Sequence, residues 1–126
     1  MGVGGGMAFD VGHELRRFAD TCRWSLAGWR TAWATEKSLR QWTFANVLSA
    51  GLALTLDLTP AERALILALG LLVLAAELLN TAIEETVDYI SKDQDPRAGR
   101  AKDCGSAGVA LAAMAAGVAW LVILIG

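Results

Sequence analysis

Two cysteines, Cys22 and Cys104, are all that 126 residues contain. Two do not build a disulfide framework, and no metal-ligand spacing surrounds either. Both read as small apolar residues of a reducing compartment, without a disulfide partner. Net charge is only −2, which argues against a broad nucleic-acid surface and against nucleic acid as a partner. The N-terminus lacks a basic leader followed by an apolar core, so no cleavable signal peptide is expected. The opening Met1-Gly-Val-Gly-Gly-Gly6 has no preceding strand and no Gly-Lys-Ser/Thr ending, which excludes a phosphate loop. Residues 1–12 are therefore expected to form a disordered leader, ahead of one domain over 13–126. No strand pattern competes anywhere.

Hydrophobicity is abundant instead: 55% of residues are hydrophobic, and the mean hydropathy is +0.43. Four of the five tryptophans (Trp24, Trp29, Trp33, Trp42) precede the first apolar run, which suits a membrane–water interface. Residues 13–35 mix Arg16, Arg17, Arg23 and Arg30 with Leu15, Phe18, Trp24, Leu26, Trp29 and Trp33. On a helix this gives a wide aromatic face and a basic one, as in a helix lying on an anionic bilayer surface. Three apolar runs follow: 14 residues from Thr43 to Leu56, 20 from Ala64 to Ile83, and 23 uncharged residues from Cys104 to Gly126. A bilayer core of about 30 Å needs about 20 residues. The reading is an all-α membrane protein, a surface helix followed by three transmembrane helices over about 41–57, 62–90 and 104–125. Thr59-Pro60 is a helix start, and small residues between Gly105 and Gly117 permit close helix approach. Asp93 and Asp95, beside Pro96, read as a polar turn.

Of eleven lysines and arginines, six lie before the first run and four between Ser91 and Asp103, with Arg63 alone on the other side. The positive-inside rule therefore predicts a cytoplasmic N-terminus and an outer C-terminus for a multi-pass protein.

The most informative segment continues the second run. Glu77, Asn80, Thr81, Glu84 and Asp88 fall within about 100° of helical arc, opposite Leu78, Leu79, Ala82, Ile83 and Val87. A carboxylate inside a span costs about 2.5–3.5 kcal/mol on insertion scales, so such residues usually mark an ion or substrate site. Glu85 lies at the edge of the stripe and reads as solvated. Glu77 lies about 9 Å deeper than Ile83, within reach of the cytoplasm. Beside the stripe stand Arg97, Arg100, Lys102 and Asp103 of the second loop, and Glu36, Arg40 and Gln41. Carboxylates suit Mg²⁺ carried on phosphate oxygens, and cations suit the phosphates themselves. Together they could assemble a phosphoryl-transfer site without a Walker loop.

The string Glu77-Leu-Leu-Asn80-Thr81-Ala-Ile-Glu84-x-x-Val-Asp88, followed by Ala101-Lys102-Asp103 and Gly105-Ser106-Ala107, resembles the prokaryotic diacylglycerol kinase family. The likeness runs upstream through Ser25, Gly28, Arg30, Ala32-Trp33, Glu36 and Arg40-Gln41, and covers about Arg17 to Trp120. The resemblance implies a homotrimer of three-span subunits in the bacterial inner membrane. It implies transfer of the γ-phosphoryl of ATP, with Mg²⁺, to the hydroxyl of a membrane lipid. In that likeness Glu77 is the general base, Glu36 and Glu84 hold the metal, and Asn80 orients reacting groups. Arg17 and Lys102 contact phosphates, and Asp88 and Asp103 line the nucleotide region. Arg30, Gln41, Ser106 and Trp120 would serve lipid binding or its support. The segment Gly99 to Ala107 is more similar to the diacylglycerol type than to the undecaprenol type. A small cation-conducting protein is the rival from another class; it would need polar groups in both halves of the span, and Leu65 to Ala76 offers none.

Overall fold

The computed structural model describes residues 9–126. Among these the chain is helical throughout: α1 (Val11–Thr35), α2 (Lys37–Thr55), α3 (Pro60–Ile90) and α4 (Pro96–Ile125). Residues 1–8 of the expected leader lie outside the described residues. The Asp10 carboxylate accepts the backbone N–H of Gly12 at 3.0 Å and of His13 at 3.3 Å, so α1 starts at Val11.

The chain divides into two compact units, one ending at Thr31 and one spanning Ala32–Gly126. In the first, Val11, Leu15, Phe18 and Leu26 recur at helical spacing and are all exposed. Arg17 pairs with Glu14 at 3.4 Å and Arg23 with Asp20 at 3.5 Å; such solvated pairs contribute little stability.

The second unit begins with the last turn of α1. The helix breaks at Glu36, whose backbone is extended (φ −102°, ψ 108°). The Arg40 guanidinium reaches back to the carbonyls of Trp33 (2.5 Å) and Ala34 (3.5 Å), satisfying acceptors that the end of a helix leaves open. At the other end of α2, Arg63 donates to the carbonyls of Ala53 (2.8 Å) and Leu58 (3.3 Å). Thr59 and Glu62 form a reciprocal capping box with Pro60 in the first turn of α3, so the Thr59-Pro60 signal marks a helix start as expected.

Helix α3 packs against both α2 and α4. Its buried residues are Ile66, Gly70, Val73 and Glu77, spaced four, three and four apart, so a single face makes the packing seam. Asn80, Thr81 and Glu84 continue that face and are half-buried. The seam is thus apolar toward Pro60 and polar toward Ile90. Ala53, Ile66 and Ala119 centre the apolar part, with Leu67, Leu69 and Trp120 against them. At Gly70 a Cβ would collide with the Asn46 side-chain oxygen, which explains glycine at that helix crossing.

Outward faces carry large apolar side chains, among them Leu71, Leu79, Leu111 and Leu121. Polar residues inside and leucines outside suit a hydrocarbon surround, where an outward leucine loses nothing. Two helices, α3 and α4, are long and apolar enough to cross a membrane, with mean hydropathies of 2.2 and 2.4 over their best stretches. Helix α2, with 19 residues and Lys37 and Arg40 in its first turn, does not reach that measure. The helices also start earlier than the expected spans at 41, 62 and 104. The largest difference is at α4, where the Asp95 carboxylate accepts the Arg97 N–H at 2.8 Å and Pro96 occupies the first turn. Asp95, read as part of an ordinary turn, is a helix N-cap.

Candidate active site

Glu77 is the centre of the polar seam, 4% exposed on the inward face of α3. Its Oε2 accepts the Ser38 hydroxyl of α2 at 3.0 Å, a contact between residues 39 apart in sequence. One turn on, the Asn80 amide donates to Glu84 Oε1 at 3.2 Å. The Asn80 oxygen is buried without a hydrogen-bond partner and lies against Gly105 of α4, where any Cβ would strike it. The Thr81 hydroxyl is spent on the Glu77 carbonyl at 3.0 Å, so it offers no free donor to the site.

At the end of the seam Lys102 Nζ donates to Asp88 Oδ1 at 2.6 Å. That hydrogen bond raises the Lys102 pKa above its ordinary 10.5, with the charges of Asp88 and Glu84 adding to it and partial desolvation opposing it. Asp88 and Lys102 also line an open hollow of about 210 Å³ with Ser91, Lys92, Asp95 and Gly99. Asp95 is held below its ordinary 3.8 by the Arg97 side chain and backbone N–H.

Glu36 sits at the α1–α2 break, half-buried, and its side chain makes no capping bond to α2. Asp103 and Ser106 on α4, and Gln41 on α2, are exposed. Trp120 donates to the Ser49 hydroxyl at 2.8 Å beside the apolar cluster; its packing partner Ile66 lies about 16 Å along α3 from Glu77. Arg17 and Arg30 belong to the first unit and are exposed there. Glu85 is exposed, as expected. Cys22 and Cys104 are free thiols.

Among the described residues no group of three or more histidine, cysteine or acidic side chains is arranged to hold an ion. The donor set instead fits Mg²⁺, which binds through one or two carboxylates and completes its shell with water and phosphate oxygens. Glu84, half-buried with one oxygen taken by the Asn80 amide, has the chemistry of such a donor.

Ser38 was not marked by the sequence reading. A serine in the first turn of a helix is ordinary, and nothing local announces that its partner is on another helix.

Residues 23–124 match the family profile described as prokaryotic diacylglycerol kinase. The chain belongs to the prokaryotic diacylglycerol kinase family. The Pseudomonas aeruginosa protein named diacylglycerol kinase is 42% identical over 112 residues, 89% of this chain and 91% of that one. The Escherichia coli K12 diacylglycerol kinase is 37% identical over 108 residues, covering 86% of this chain and 88% of its relative. That of Haemophilus influenzae is 36% identical over 106 residues, 84% and 90% of the two chains. The match takes in the whole seam from Ser38 to Lys102, so family membership and the polar contacts concern the same residues.

Proposed function

We propose that this protein is an ATP-dependent lipid kinase, transferring the γ-phosphoryl of MgATP to the hydroxyl of diacylglycerol to give phosphatidic acid. The observation that carries the reading is a buried carboxylate on a membrane-type helix, tethered by one hydroxyl, in a chain of this family. The relatives bear the name diacylglycerol kinase, which favours diacylglycerol over undecaprenol as acceptor. The enzyme works as a homotrimer in the inner membrane, with three spans over about 41–57, 62–90 and 104–125, carried by α2, α3 and α4, and α1 on the cytoplasmic surface. The N-terminus is cytoplasmic and the C-terminus lies outside.

In this scheme Glu77 accepts the proton of the lipid hydroxyl as the phosphoryl group arrives. Glu84 and Glu36 would hold Mg²⁺, which when bound neutralises charge developing on the phosphates. Asn80 fixes the Glu84 carboxylate through its amide. Lys102 and Arg17 contact phosphate oxygens, with Asp88 and Asp103 bordering the nucleotide. Lys102 leaves Asp88 for the triphosphate, an exchange of one anion for another. Arg30, Gln41 and Ser106 contact the lipid, and Trp120 supports that surface through its packing.

The test is a radiolabelled ATP assay on purified protein in mixed micelles, with diacylglycerol and undecaprenol side by side. Label is expected in phosphatidic acid only when Mg²⁺ and diacylglycerol are both present. A folded protein that labels neither lipid defeats the kinase reading, and label in undecaprenol alone moves the substrate assignment.

A further inference from the structure

Resting on the kinase reading, we propose that Ser38 is a positioning residue for Glu77. Its hydroxyl holds one carboxylate oxygen and so leaves the other to receive the proton. The terminal torsion of a glutamate is broad and roughly two-fold, so packing alone does not choose which oxygen faces the reaction. One hydrogen bond does choose. Ser38 Oγ donates to Oε2 at 3.0 Å in a half-buried setting, and among the described residues Oε1 has no hydrogen-bond partner. The two oxygens are therefore chemically distinct before any substrate binds.

The serine is not serving the helix it starts. The N-cap of α2 is Glu36, so Ser38 lies two residues inside, where a serine is neutral for the helix and its hydroxyl ordinarily goes to water or local backbone. Here it is given to a carboxylate on another helix. Its position is set by the break at Glu36 and by the Arg40 guanidinium holding the end of α1, and by Leu39, which is fully buried beside it. A donor fixed this well at a buried carboxylate removes a rotation that the reaction would otherwise have to freeze.

The experiment compares wild type, Ser38→Ala, Ser38→Cys and Ser38→Thr in the micelle assay, reading kcat, both KM values and the unfolding temperature. Ser38→Ala is expected to lower kcat about three- to tenfold, the range for losing one hydrogen bond. KM for lipid and MgATP should stay within about twofold of wild type, and the unfolding temperature should be retained. Ser38→Thr should restore most of the rate through its hydroxyl, with the weak donor of Ser38→Cys falling between. Wild-type kcat in Ser38→Ala, a change confined to KM, or a threonine variant as slow as the alanine one while equally stable would each overturn the assignment. Ser38→Ala losing rate only in proportion to lost folded protein would do the same. A wild-type enzyme without lipid-dependent turnover brings down both readings; an active one indifferent to Ser38→Ala brings down the tether alone.

Discussion

Taking a carboxylate out of water costs several kcal/mol unless a partner restores the lost solvation. Glu77 has a hydroxyl for company, and among the described residues it makes no ion pair. Such a group is poor cement, so its placement is better explained by chemistry than by stability. Glu77→Gln keeps the shape and can still accept from Ser38, but cannot act as a base. Turnover should fall by a factor of at least about 100, the lower range for general-base catalysis, with nucleotide binding and unfolding temperature retained; near-normal turnover would remove the base assignment. Glu84→Gln should instead raise the Mg²⁺ concentration needed for half-maximal rate, since it weakens a ligand rather than the base. Lys102 supplies a pH test. Its pKa is raised by Asp88, so the bond contributes fully below 10.5 and is lost as pH rises through the higher folded value. Stability should therefore decline above pH 10.5 more steeply in wild type than in Lys102→Met, measured by thermal unfolding across pH 9–12. The acidic residues of this site were legible because polar side chains with a helical period inside an apolar run have few explanations. Ser38 was not, because hydrogen bonds between distant helices leave no local pattern.

Helix ends follow their capping chemistry closely. Thr59 and Glu62 satisfy each other's backbone donors at the start of α3; Thr59→Ala should cost about 1 kcal/mol, read as a lowered unfolding temperature with unchanged kcat. Asp95-Pro96 is the same signal and sets the start of α4, eight residues before the apolar run from Cys104 begins. Residues 96–103 include Arg97, Arg100, Lys102 and Asp103, so an apolar window finds only the later, uncharged part of the helix. Arg63 shows the complementary effect. As a charge it is the exception to the positive-inside pattern; as a donor it caps the carbonyl end of α2. Helix α2 was read from a short apolar run extended at its flanks, and by composition it stays the most polar of the three proposed spans.

Over the second unit as a whole, the seam between α3 and its neighbours is kept tight by glycine where asparagine faces it. Gly105→Ala sets two effects against each other. Alanine gains about 0.5–1 kcal/mol of helix preference, while forcing the Asn80 side chain aside costs about 1–3 kcal/mol. The net is a loss of about 0–2.5 kcal/mol, so the unfolding temperature should fall modestly, whereas kcat should drop at least tenfold as Asn80 leaves Glu84. Gly108→Ala, with open space where its Cβ would go, is the control and should keep wild-type rate. The all-helical architecture and the one-sided polar face of α3 were readable from periodicity, whereas which glycine meets which asparagine depends on helix register. The Arg63 and Thr59 contacts carry one more consequence, a mechanical one. Arg63 ties the heel of the α2–α3 hairpin to the last turn of α2, beside the Thr59 cap, while its toes touch through Ser38 and Glu77, about 22 Å away along α2. A tilt of about 5° at the heel moves the far tip by about 2 Å, enough to break a single hydrogen bond. The leverage of α2 thus makes that contact a sensitive gauge of any flexing between the two arms of the hairpin.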